Sequence, residues 1–199
     1  MTLIILLILS YLAGSVNFAI ILFKLLGKGD PRESFSGNAG TTNVYRQAGI
    51  AWATVVLVLD AGRAVAVAVL AMHFLPAGQV PWPGLSLVIG NRFPCFHRFR
   101  GGKGVASYLG FSLPITPIGA GFSALAWVLV YLMARKPFIA SFAMILILAI
   151  GTSSACNYAP SAVIGSTMTV LFIVYNHNKN IVEYTGRKSR EETNSEEDI

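Results

Sequence analysis

The chain has 199 residues, 54% of them hydrophobic and 12% charged, a formal net charge of +6 and a mean hydropathy of +0.63. Soluble domains carry about a quarter charged residues, so a water-soluble globular domain is excluded and an integral membrane protein is expected. The positive balance does not point to nucleic acid: the cations are dispersed between apolar runs, where they report membrane topology.

In chain order, Thr2 to Phe23 carries no charge, and Lys24 and Lys28 follow it. A cleavable leader has the reverse charge order and a shorter apolar core, so a retained first span is expected at 2–23. A polar stretch runs from 24 to 49. The second span is expected at 50–75, with Asp60 and Arg63 inside it. At i and i+3 these two can pair and neutralise each other. Pro76, Gly78, Pro81 and Pro83 then make an uncharged turn.

Apolar sequence resumes at 82–95 and reaches Arg92, Arg98, Arg100 and Lys103. The uncharged stretch 104–134 is divided by Pro114 and Pro117, because proline ends or kinks a helix. That predicts spans at 104–116 and 118–134, closed by Arg135 and Lys136. The uncharged stretch 137–178 is divided at Asn157 and Pro160 into spans at 137–155 and 160–177. A helix needs about 20 residues to cross about 30 Å of hydrocarbon, so 82–95 and 104–116 are short. A re-entrant pair would leave four cations on the outer face, and crossings in a locally thinned bilayer are preferred.

The expected fold is therefore an all-α integral membrane protein of seven transmembrane helices, with the N-terminus outside and the C-terminus cytoplasmic. Every Lys and Arg except Arg63 then lies inside. One membrane domain covers 1–186, and 187–199 is a polar cytoplasmic tail expected to be disordered. Cys95 and Cys156 fall near opposite faces, too far apart to bridge.

Two polar islands carry glycine clusters. The first, Ser36-Gly37-Asn38-Ala39-Gly40-Thr41-Thr42-Asn43, offers hydroxyls, amides and bare backbone, with Arg46 one turn beyond. Such residues can cap a helix start while donating to an oxyanion. The second is Gly101-Gly102-Lys103-Gly104 ahead of an apolar helix. Glycines let backbone N–H groups approach a phosphate, the helix start adds its unpaired donors, and Lys103 adds a mobile charge. It is not a Walker loop, which needs G-x-x-x-x-G-K-[ST]. A third island, Asn176-His177-Asn178-Lys179-Asn180, places His177 and Asn180 three apart at the same boundary. His177 can move a proton and Asn180 can hold an oxygen. Ser141 lies early in its span on the same side.

These islands, in this order, resemble the bacterial acyl-phosphate:glycerol-3-phosphate acyltransferase family. The matching pieces are Gly14-Ser15, Ser36-Gly37-Asn38, Gly40, Thr42-Asn43-Val44, Arg46, Asp60, Phe93-Pro94, Phe96, Gly101-Gly102-Lys103-Gly104-Val105-Ala106, and His177, Asn180 and Ile181. The chain departs from the family pattern at Asn91, where His is usual, and at Asn178, Glu183-Tyr184 and Arg63-Ala64. Glu191 is the candidate match for a third-motif Glu. The resemblance implies seven spans and transfer of a fatty acyl group from acyl phosphate to the 1-hydroxyl of sn-glycerol 3-phosphate, giving lysophosphatidate and phosphate. It matches an essential Ser and Arg to Ser36 and Arg46, glycerol-phosphate binding to Gly101, Gly102 and Gly104, and the third motif to His177 and Asn180.

The expected catalytic set is thus Ser36, Arg46, Lys103, His177 and Asn180. The expected substrate contacts are Asn38, Gly40, Thr41, Thr42, Asn43, Gly101, Gly102, Gly104 and Ser141. No metal or cofactor is expected. The expected partners are acyl phosphate, glycerol 3-phosphate, the bilayer and the enzyme that makes the acyl phosphate. The resemblance places the protein in the bacterial inner membrane with its active site at the cytoplasmic face. A transporter of an anionic metabolite, or a family member that binds substrate without turnover, are the alternatives.

Overall fold

The computed structural model describes residues 1–186; the predicted tail 187–199 and Glu191 lie outside the described residues. The architecture is helical: α1 (Thr2–Ser15), α2 (Phe18–Leu25), α3 (Thr41–Ala48), α4 (Ile50–Phe74), α5 (Pro81–Arg92), α6 (Val105–Ile115), α7 (Pro117–Ala134), α8 (Pro137–Ala155) and α9 (Pro160–Tyr175). A further helix covers 178–186. Among the described residues, four α-helices begin on proline, at Pro81, Pro117, Pro137 and Pro160. Proline at the first helical position lacks only an N–H that would have no partner there. Of the prolines that divided the apolar stretches in the sequence, Pro117 and Pro160 act as helix starts, whereas Pro114 lies inside the last turn of α6.

Among the described residues, four segments are long and apolar enough to cross a membrane: Thr2–Leu25, Ile50–Phe74, Pro117–Ala134 and Pro137–Ala155. The first is not one continuous helix. Val16 is extended, and the buried Asn17 side chain accepts the Ile20 N–H at 3.1 Å, starting α2 afresh. An apolar run hides such a break because one internal cap residue suffices to make it. α5 has 12 residues and α6 has 11, about 18 and 17 Å at 1.5 Å per residue. α5 ends at Arg92 rather than 95, and α9 ends at Tyr175 rather than 177.

Apolar helices gain little from one another by the hydrophobic effect in lipid, so close packing over small residues holds them together. α1 and α5 show this most clearly. A Cβ on Gly14 would lie 2.1 Å from the Leu87 carbonyl oxygen, and one on Gly90 would lie 2.2 Å from that of Tyr11. The bare glycines let the two backbones touch. Ser86 donates to the Leu7 carbonyl at 2.6 Å and Tyr11 to that of Phe93 at 2.9 Å, so α1 and α5 run parallel. A central core joins Ala64, Ala68 and Ala71 of α4 to Leu87 of α5 and Phe111 of α6.

The connections sort to two ends. At one end Gly78 meets Ala159, and Trp82 donates to Ser161 at 2.9 Å. At the other, residues 26–49, 93–104, 135–136 and 176–186 come together, and this end holds the glycine loops. Cys95 belongs to that end and Cys156 to the opposite one, and both are free thiols.

Candidate active site

Three helix N-termini converge at the loop-rich end: α3 after Gly40, α6 after Gly104 and α8 after Lys136. Their starting residues line one cavity of about 390 Å³. Each helix start presents the positive end of its dipole, and α3 and α6 add unpaired N–H groups; at α8, Pro137 has no N–H and Ile139 donates to the Lys136 carbonyl. Lys103 and Arg46 add formal charge to the same wall. Farther in, the cavity is walled by Leu57, Leu109, Val128, Trp127 and Met144. Its lining is polar and cationic around the helix starts and largely apolar along the helices beyond them, with Asp60 set among the apolar side chains. A second, polar hollow of about 880 Å³ adjoins it and shares Ser36, Asn38, Arg46, Lys103 and Asn180 with it. That hollow adds Arg92, Lys136 and Lys179.

The loops are held by buried amides. Asn17 donates to the Ala39 carbonyl at 3.1 Å. Asn43 donates to Pro31 at 2.7 Å, leaving its own Oδ1 buried without a hydrogen-bond partner among the described residues. The Thr41 hydroxyl is buried in the same state. Both line the cavity, and a buried polar atom left unpaired is costly unless a ligand satisfies it.

The glycine loop sits tightly on α5. The Gly101 N–H donates to Arg92 at 3.1 Å and the Gly102 N–H to the Asn91 carbonyl at 2.9 Å. A Cβ on Gly101 would lie 2.0 Å from the Asn91 carbonyl oxygen, and one on Gly102 would lie 2.6 Å from Asn91 Oδ1. The two glycines thus serve close approach to α5, and their N–H groups are spent on it. The free donors lie beyond them, at the start of α6. Gly104 takes φ 88 as the N-cap of that helix, a left-handed conformation suited to glycine.

At the third island the chain turns at 176–177 before the helix 178–186 begins. Asn176 donates to the Lys103 carbonyl at 3.3 Å, and Lys103 Nζ donates to Asn180 Oδ1. His177 is 3% exposed, and its Nδ1 lies 2.8 Å from the Ile173 carbonyl. A carbonyl oxygen only accepts, so Nδ1 carries the proton and Nε2 of the neutral ring is left as an acceptor. Burial, with the nearby Arg92 and Arg46 and against the pull of Glu183, brings the Lys103 ammonium down to about 8. Ser141 donates to the Pro137 carbonyl at 2.9 Å and accepts from Trp127 Nε1 at 3.3 Å. Its hydroxyl is occupied, and it fixes the indole.

Of the sequence-predicted residues, Ser36, Asn38, Gly40, Thr41, Thr42, Asn43, Arg46, Gly102, Lys103, Gly104, Ser141, His177 and Asn180 all line the cavity. Gly101 lines neither hollow and belongs to the packing beneath. Sequence reasoning missed the supporting Asn17 and the wall residues Ser107 and Trp127, and named Asn176 in the third island without its hold on the Lys103 carbonyl. The available signal was a polar residue inside or ending an apolar run, as Asn17 and Asn176 both are. Asp60 pairs with Arg63 at 3.1 Å and also lines the cavity, while Arg63 donates to Ser107 at 3.0 Å and to the Val16 carbonyl at the α1–α2 break.

A family model described as glycerol-3-phosphate acyltransferase matches residues 4–186. Among curated relatives, a glycerol-3-phosphate acyltransferase of Pseudomonas fluorescens (strain Pf-5) is 37% identical, over 91% of this chain and 95% of its own. One of Brucella melitensis is also 37% identical, over 86% and 85%. Among solved structures the chain is similar to PlsY (YgiH), described as an integral membrane glycerol 3-phosphate acyltransferase. Its glycerol 3-phosphate form superimposes with a TM-score of 0.85 at 32% identity over 94% of each chain. Its lysophosphatidic acid form gives 0.82 at 31%. With its three islands folded into one polar mouth over an apolar cavity, this chain belongs to the glycerol-3-phosphate acyltransferase family.

Proposed function

We propose that the protein transfers a fatty acyl group from acyl phosphate to the 1-hydroxyl of sn-glycerol 3-phosphate, releasing phosphate and forming lysophosphatidate. The observation that carries this reading is the two-part cavity. Both substrates bring phosphate, which suits three helix N-termini with Lys103 and Arg46. One brings a fatty chain, which suits the wall of Leu57, Leu109, Trp127, Val128 and Met144.

Acyl phosphate is an activated mixed anhydride, so alignment and charge stabilisation suffice. In this mechanism the glycerol oxygen attacks the acyl carbon, the carbon–oxygen bond to phosphate breaks, and phosphate leaves with the electron pair. Lys103, Arg46 and the helix-start N–H groups hold the phosphates. Ser36, Asn38 and Thr42 orient the carbonyl and its developing oxyanion. The hydroxyl proton passes to His177 Nε2 or to a substrate phosphate oxygen. Asn180 holds Lys103 in place.

The same reading gives seven crossings, with the N-terminus outside and the loop-rich end at the cytoplasmic face of a bacterial inner membrane. The short α5 and α6 then span a locally thinned bilayer. Purified protein in detergent, given palmitoyl phosphate and glycerol 3-phosphate, is expected to release one phosphate per lysophosphatidate formed. Absence of both products, or a trapped acyl-enzyme, sinks this mechanism.

A further inference from the structure

Asp30 and Arg32 line neither the cavity nor the polar hollow beside it, yet they join the two glycine-bearing loops. They flank Pro31 in a single 3-10 turn, Pro31–Glu33. The Asp30 carboxylate accepts the Arg32 backbone N–H at 2.9 Å and its Nε at 2.8 and 3.0 Å, and it also takes Nη2. This two-oxygen grip fixes the plane of the guanidinium. Nη1 is then aimed across to the second loop, where it donates to the carbonyls of His97 at 2.9 Å and Arg100 at 2.6 Å.

Those two carbonyls bracket Arg98 and Phe99, which sit at φ 57 and φ 55. Consecutive left-handed residues are unfavourable without glycine, so this turn needs an outside hold, and Arg32 supplies one. Arg100 leads directly into Gly101-Gly102-Lys103. On the other side of the turn, the Pro31 carbonyl accepts Asn43 Nδ2 at 2.7 Å and Gln47 Nε2 at 2.9 Å, both on α3. One three-residue turn thus grips the first phosphate-facing helix and the approach to the second.

We propose that the Asp30–Arg32 pair is a positioning device that sets the glycine loop, and with it Lys103, at a fixed distance from α3, and so sets the affinity of the site for the phosphate of glycerol 3-phosphate. The inference rests on the phosphate-binding role assigned to Lys103 under the proposed function. Lysine cannot replace Arg32, because a point charge cannot hold a carboxylate side-on and two carbonyls at once.

The test uses full-length protein in detergent. Arg32→Gln, Asp30→Asn, Arg32→Lys, Lys103→Met and the double variant Arg32→Gln/Lys103→Met are compared with wild type. The readouts are glycerol 3-phosphate affinity, by a method that reaches millimolar binding, and steady-state kinetics with palmitoyl phosphate. Arg32→Gln and Asp30→Asn are each expected to lower kcat/KM on the order of 10²-fold, the usual consequence of displacing a binding group by about 1 Å. The loss falls on the KM for glycerol 3-phosphate and leaves that for palmitoyl phosphate unchanged. Arg32→Lys does not restore it. In the Lys103→Met background, Arg32→Gln causes no further loss of affinity. Wild-type KM in a folded Arg32→Gln protein, or losses that simply multiply in the double variant, overturn the proposal. So does a failure of both Arg32→Gln and Asp30→Asn to fold, which makes the pair a stability element. Unchanged affinity in Lys103→Met sinks the underlying phosphate reading instead, which separates the two failures.

Discussion

Lys103 is drawn two ways by its surroundings. Burial and the cations Arg92 and Arg46 favour the neutral amine, and its ammonium comes down to about 8. A phosphate ligand favours the charged form. The free protein therefore loses this cation as pH rises through about 8, while the complex keeps it to higher pH. The expected result is a kcat/KM for glycerol 3-phosphate that falls above pH 8, with kcat falling later. Lys103→Arg removes that alkaline limb, since guanidinium stays charged. A limb unchanged in Lys103→Arg assigns it to another group.

Ser141 illustrates a different residue-scale lesson. Its hydroxyl is already engaged by Pro137 and Trp127, so it has little left to offer a substrate. Ser141→Ala is expected to cost about 1 kcal/mol of stability and less than tenfold in turnover. Trp127 walls the apolar part of the cavity, so Trp127→Ala is expected to shift turnover toward longer or bulkier acyl phosphates. Turnover of a chain-length series in both variants checks this; a wild-type profile in Trp127→Ala refutes it.

At the scale of elements, the α1–α5 contact is the one least tolerant of added volume. Gly90→Ala forces a methyl against the Tyr11 carbonyl oxygen and is expected to destabilise by about 1–3 kcal/mol. Gly62 is the matched control: it lies within α4, and a Cβ there meets nothing within 4 Å. Gly62→Ala is expected to be neutral or to stabilise by about 0.4–1 kcal/mol. Thermal unfolding of both variants in one detergent decides the contrast. The break between α1 and α2 belongs to the same scale. Asn17 caps α2 and holds Ala39 in the first glycine loop, so a helix interruption and the placement of that loop share one side chain.

At the scale of the whole molecule, the loop-rich end carries the candidate site and the opposite end carries the turns at 75–80 and 156–159. If seven segments cross, Phe35, Phe99 and Asn178 share one aqueous side. Single cysteines at these exposed positions, in a Cys95→Ser/Cys156→Ser background, are expected to react only with reagent admitted to the cytoplasm. A cysteine at exposed Tyr158 is expected to react from outside. Labelling of Phe35 and Phe99 positions from different sides breaks the topology and the single site together.

The membrane class and the order of the polar islands were legible in composition, because lipid demands long uncharged runs and cations collect at their ends. The helix starts were legible at Pro117, Pro137 and Pro160, since proline is tolerated there for a local reason, whereas Pro81 and Pro83, read as part of a turn, belong to the first turn of α5. The residues of the polar mouth were legible by chemical type. Hidden from the sequence was everything set by partners distant along the chain. Gly101 and Gly102 read as phosphate cradles, but their N–H groups go to α5 carbonyls once the loop docks. Ser141 read as a contact for substrate, but its hydroxyl goes to its own helix and to Trp127. A donor's availability depends on what lies within 3 Å of it, and only the packing of α3, α5, α6, α8 and the helix 178–186 around one cavity decided that.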